Sequence, residues 1–186
     1  MTANADDVQY NSLYSLAEIT QIVSADVLRP YIQNILQIFK ALEALRGTEK
    51  NDIYETTILC QGSLLVFQPE LSVQCGFEIE KVLLNWFGLV VNMQSVKSDA
   101  LIYVVTAVKR GVLKINSPEI LLHFVNFVGS VLADEDLEDV GLTLINDIKA
   151  IMGQLKTMFS DAVFNDIWKR LPVSTQQAVV DLLQMS

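Results

Sequence analysis

Apolar residues fall at helical spacing along almost the whole chain. Ile32, Ile35, Leu36, Phe39, Leu42 and Leu45 share one helix face, as do Ile79, Val82, Leu83, Trp86 and Leu89, and Leu121, Phe124, Val125, Val128 and Leu132. No Asn-Gly hairpin signal competes with them. The pattern predicts helices over 7–23, 28–45, 52–67, 70–92, 99–113, 118–133, 138–157, 159–171 and 174–184. Connections such as RGTEKN, NMQSVKS and ADEDLED are short and polar, as antiparallel helix neighbours require.

The helix starts form two interleaved series. Pro30, Pro69 and Pro118 each open a helix, where the missing N–H would have no partner in any case. Ser117 is placed to cap the third. Asp7, Asp52, Asp99 and Asp139 open the other series, 45, 47 and 40 residues apart, where a carboxylate can cap free N–H groups and favours the helix dipole. Six residues beyond the aspartates stand Leu13, Ile58, Val105 and Ile145; nine beyond stand Leu16, Gln61, Val108 and Ile148, of which only Gln61 is polar.

A two-helix unit of about 40–47 residues is the period of HEAT and armadillo arrays. The expected fold is therefore all-α, a HEAT-repeat-type α-solenoid forming a right-handed superhelix of about four helix pairs over residues 1–186, with an irregular helical bundle as the alternative. Residues 29–42 then belong to the first helix of a pair whose second helix runs over 52–67. The first aspartate-led helix has no proline-led partner before it, which leaves Val8, Leu13, Leu16 and Ile19 with one neighbour to cover them. A solenoid end needs a polar cap, so the expectation is a segment of a longer array.

Composition narrows the reading. Half the residues are hydrophobic and the mean hydropathy is +0.35, so a membrane span has to be considered first. The longest uncharged stretch, between Lys81 and Lys97, is interrupted by Asn85, Asn92, Gln94 and Ser95 and falls short of the roughly 18–20 apolar residues a span needs. MTANADD has neither a basic region nor an apolar segment behind it, unlike a signal peptide. Cys60 and Cys75 match no metal or redox spacing and read as buried thiols in a reducing compartment. A net charge of −9 argues against nucleic acid and is compatible with basic protein partners.

Candidate chemistry is sparse. His123 is the sole histidine, with no cysteine or carboxylate at ligand spacing within its helix. ADEDLED lacks the alternating ligands, central glycine and distal glutamate of a calcium loop. It reads as an acidic turn leading into a helix, or as a contact for a basic peptide through Asp134, Glu135 and Asp136. NWFG at 85–88 resembles the Asn-Trp-Gly start of a Bcl-2 signature, but Phe87 breaks it and no downstream Gly-Trp element follows. Trp86 and Trp168 read as packing residues. There is no Gly-rich phosphate loop, nucleophile elbow or catalytic carboxylate pair, so the expectation is a binding protein without cofactor or metal and not an enzyme. By subtraction from the core-facing offsets, Tyr10, Tyr14, Glu18, Glu55, Ile102, Thr106, Arg110 and Asn146 lie toward the other face of the aspartate-led helices. Tyrosines and carboxylates there would suit a Lys/Arg-rich helix.

LRPYIQNILQIFKAL resembles the first helices of HEAT repeats in the importin-β (karyopherin-β) family, where a Pro-Tyr pair often precedes an apolar helix. HFVNFVGSVLADEDLEDVGLTLINDIKAIMGQL, residues 123–155, is similar to a late repeat of that family. FSDAVFNDIWKRL and STQQAVVDLLQM would then correspond to its C-terminal end. The resemblance implies a fragment of a nuclear transport receptor, cytoplasmic and nuclear. It would bind the basic segment of an importin-α-type adaptor or cargo, with FG nucleoporins as further partners. Whole receptors are several times longer, and their Ran-binding repeats lie near an N-terminus that has no counterpart here. A HEAT scaffold or regulatory subunit outside transport, and a compact Bcl-2-like regulator binding an apolar helix, are the rival expectations.

Overall fold

The computed structural model describes residues 5–90, 96–134 and 141–184, and these are all-α, with no strand among them. The helices are α1 (Ala5–Ile22), α2 (Ala25–Leu28), α3 (Ile32–Leu42), α4 (Asn51–Phe67), α5 (Pro69–Gln74), α6 (Ile79–Val90), α7 (Lys97–Lys109), α8 (Pro118–Asp134), α9 (Leu142–Met158), α10 (Asp161–Arg170) and α11 (Val173–Gln184). Among the described residues none of these is long and apolar enough to cross a membrane.

Local chemistry accounts for several boundaries. Pro69 and Pro118 occupy the first turns of α5 and α8, and the Ser117 hydroxyl accepts the Ile120 N–H at 3.3 Å. Asp7, Asp52 and Asp99 sit inside the first turns of α1, α4 and α7. There they act on the helix dipole; the cap positions of α4 and α7 belong to Lys50 and Val96, which make no side-chain cap. Asp139 lies outside the described residues.

Two predicted helices are broken. The 28–45 segment is α2, a 3-10 turn over Arg29–Tyr31 that contains Pro30, then α3, then a second 3-10 turn over Glu43–Leu45. The 70–92 segment stops at Gln74, because Gly76 turns the chain at φ +86°. The Gly76 N–H reaches Val73 O at 2.9 Å and the Phe77 N–H reaches Ser72 O at 3.1 Å, closing the helix end before α6 begins.

Side-chain bonds fix the directions of the central helices. Lys50 pairs with Asp6 at 2.7 Å where α1 and α4 begin, and Gln68 Nε2 donates to Thr20 O and Val23 O at 2.7 and 2.9 Å where they end. Hence α1 and α4 run parallel. Tyr14 and Gln21 of α1 meet Asp99 and Tyr103 of α7 in the same order, so α7 is parallel to both. Lys97 pairs with Asp134, joining the start of α7 to the end of α8 and setting that pair antiparallel.

The core has two parts that meet at α4. Ile53, Cys60 and Leu64 join α1, α3 and Leu71 in one; Tyr54, Ile58, Leu59, Leu65 and Val66 join α6, α7, α8 and the C-terminal helices in the other. Trp86 reads correctly as packing: it is buried, its Nε1 donates to Ile58 O at 2.8 Å, and its ring lies 6.2 Å from that of Phe127 on α8. The last helix, α11, packs mainly along α8.

Candidate functional site

The residues expected to face a partner are concentrated where α1 and α7 approach each other over α4. Tyr14 and Tyr10 are half-buried and stacked, ring centroids 6.3 Å apart, and the Tyr14 hydroxyl donates to the Asp99 carboxylate. That carboxylate, by holding the O–H, pushes the Tyr14 phenol well above its usual range, and burial adds to the effect. Gln21 Nε2 bridges the two helices further along, to Glu18 at 3.0 Å and to the Tyr103 hydroxyl at 3.2 Å. Tyr103 is buried, which raises its phenol to about 12.

Past Tyr103 the surface continues over Phe67, whose ring stands edge-on to Tyr103 at 5.5 Å. The Arg110 guanidinium lies 5.4 Å from the centre of the same Phe67 ring. Glu18, Ile102 and Arg110 are exposed and Thr106 is half-buried, so α1 and α7 do bring most of the expected residues onto one surface. Asn146 is exposed on α9, beside Asp147, which pairs with Lys109 of α7 at 2.6 Å.

Glu55 departs from the expectation. It is only 6% exposed and takes a hydrogen bond from Asn51 Nδ2 at 2.9 Å. Its offset from Asp52 pointed to an outer face, but α4 is packed by α1, α3, α6 and α7, and at Glu55 that face is hidden from solvent. Asp134 is held by the buried ammonium of Lys97, while Glu135 and Asp136 lie outside the described residues.

The remaining sequence candidates resolve simply. Cys60 is fully buried, and desolvation pushes its thiol up to about 12; Cys75 is half-buried. His123 is half-buried on α8, and among the described residues no group of three or more His, Cys, Asp or Glu could hold a metal ion. The outer face of α1 is partly open, although α1 meets α7 as well as the one neighbour expected: Leu13 is buried inward, but Val8 and Ile19 are 51% and 42% exposed around a shallow depression that Leu16 also lines.

Sequence reasoning missed a cavity of about 300 Å³ between α3, α4 and α6, lined by Leu36, Phe39, Leu64, Leu65, Phe77 and Val82 with Lys40, Glu43 and Gln61 as its polar groups. The available signal was Gln61, the one polar residue at a core offset. No protein-family model, curated protein or solved structure matches this chain.

Proposed function

We propose that this chain is a HEAT-type helical scaffold, a right-handed solenoid of about four helix pairs that holds a protein partner on the surface formed by α1, α7 and α9. The observation that carries the reading is the parallel run of α1, α4 and α7, with α3, α6 and α8 interleaved in sequence. Stacked two-helix units return the chain to the same direction every second helix, whereas an up-down bundle alternates neighbours. Each of α4, α7 and α9 also packs on the preceding member of its series. α1 also reaches α7 directly, through the Tyr14–Asp99 and Gln21–Tyr103 bonds.

The specific form of the proposal is a C-terminal segment of an importin-β-like receptor that binds a basic adaptor or cargo helix. It is supported by the similarity of residues 123–184 and by exposed Glu18 beside the stacked tyrosines. Titration with a fluorescent basic helical peptide, patterned on the basic segment of an importin-α-type adaptor, tests it at low and high salt. Binding that survives moderate salt and falls about tenfold in Glu18→Lys supports the receptor form. Binding lost with salt in both proteins alike is generic attraction to an acidic chain, and no binding favours a HEAT scaffold outside transport.

One observation favours a different reading. α4 is enclosed on every side by α1, α3, α6 and α7, as the central helix of a compact Bcl-2-like regulator would be. That rival expects an apolar amphipathic helix to bind in preference to the basic one, so the two peptides run side by side separate the readings.

A further inference from the structure

We propose that the cavity between α3, α4 and α6 receives an apolar side chain from a partner peptide, while the Gln61 carboxamide hydrogen-bonds that residue's main chain. From Ile53 to Val66 every residue of α4 is buried except Gln61. The other aspartate-led helices carry Leu16, Val108 and Ile148 at the same offset. Buried polar side chains elsewhere on α4 are satisfied: Thr56 and Thr57 each donate at 2.8 Å to Asp52 O and Ile53 O, and Ser63 donates to Ala17 O at 2.7 Å. Gln61 makes no side-chain hydrogen bond among the described residues, and it lines the cavity.

The remaining lining explains what a ligand must look like. Phe39, Leu64 and Leu65 are 3%, 2% and 3% exposed and form an apolar floor, with Leu36, Phe77 and Val82 as walls. About 300 Å³ is at the low end for a ligand pocket, which suits one bulky side chain rather than a whole helix face. A carboxamide offers two donors and one acceptor, the complement of one peptide unit's C=O and N–H. Lys40 and Glu43, one helical turn apart on the rim, form no ion pair among the described residues. Their opposite charges fit a segment that carries an acidic and a basic residue on either side of its apolar anchor.

This site does not depend on the nuclear-transport reading, whose test reads Glu18 on a different surface. Amide NMR spectra of the full chain, titrated with acetyl-Lys-Phe-Glu-amide and with the Ala control in place of Phe, test it directly. The Phe peptide should move the signals of Leu36, Gln61, Leu65 and Val82 saturably and bind about tenfold more tightly than the Ala peptide. Gln61→Leu, which keeps a side chain of similar volume and removes the carboxamide, should weaken it about fivefold. Leu36→Trp, filling the space, should abolish the shifts while thermal melts show both variants folded. Absent or equal shifts from the two peptides, or undiminished binding by Gln61→Leu, overturn the proposal. Tighter saturation of the same signals by decanoate also overturns it, in favour of a small lipid-like ligand.

Discussion

α4 and α8 are both 17-residue helices at the centre of the molecule, yet they are buried by different chemistry. α8 hides Ile120, Leu121, Phe124, Val125, Phe127, Val128, Val131 and Leu132, and its only other buried residue is Gly129. α4 hides Glu55, Thr56, Thr57 and Ser63 among its apolar residues. Its hydroxyls bond back along the helix or across to α1, and Thr20 and Ser63 meet at 2.5 Å. Apolar burial is non-directional and tolerates sliding, whereas a buried donor is satisfied in one register only. Hence α8 is held by its volume, and α4 is held at a set position against α1.

The two helices share one device, and it supplies the largest expected effects. Gly62 of α4 lies under the indole of Trp86; a Cβ there would stand 2.6 Å from Cε2 and nearer still to Cζ2. The indole cannot retreat without breaking its bond to Ile58 O, which would leave a buried N–H unpaired. Gly129 of α8 lies under α11, where a Cβ would come within 2.5 Å of Thr175 Cγ2 and 2.9 Å of Thr175 O. Alanine gains about 1 kcal/mol of helix propensity at either site, set against overpacking of about 1–3 kcal/mol and, at Gly62, a lost hydrogen bond. We expect Gly62→Ala to lose about 3 kcal/mol and Gly129→Ala about 1–2 kcal/mol in urea unfolding. If Gly129→Ala proves the costlier, the pinned indole does not distinguish the two crossings.

An effect between those two tests whether register matters to α4. Gln68 ties the end of α4 to two carbonyls at the end of α1. Its truncation to Ala should cost about 2 kcal/mol and raise hydrogen exchange in the last turn of α1 before that of α8. Uniform loss of protection across both helices would mean that α4 is held no differently from α8.

The helices were legible in the sequence where their starts carried a local signal: Pro69 and Pro118 at first turns, Asp7, Asp52 and Asp99 inside them. Trp86 was legible as packing for a similar reason, since its helix is apolar along one face. The break at Gly76 was missed because the apolar spacing continues through it, although a glycine at that place is itself a stop signal. Glu55 could not be read at all. Its burial comes from the helices packed around α4, and the bond from Tyr14 to Asp99, which brings two of them together, joins residues 85 apart, with no periodicity in the chain to announce it. For the candidate surface, then, the face of each helix was legible, and the way α1 and α7 close over α4 was not.

That closure also leaves the smallest and most specific signature, absent at neutral pH. Burial raises Tyr103 to about 12, and the Asp99 carboxylate, with burial, raises Tyr14 as well, against about 10 in an unfolded chain. In both cases the folded state favours the neutral phenol. The stability so contributed is therefore complete below about pH 10 and is lost as pH rises through the folded values. Following tyrosinate absorbance while circular dichroism reports the fold, we expect Tyr14 and Tyr103 to ionise late, together with unfolding. Asp99→Asn, which keeps an acceptor for Tyr14 and removes the charge, should bring one of the two back toward its ordinary range and leave Tyr103 late, because burial holds it. Tyr14 and Tyr103 both ionising near pH 10 in a folded chain would break the comparison at its root, since α1 and α7 would then not seal α4 from water.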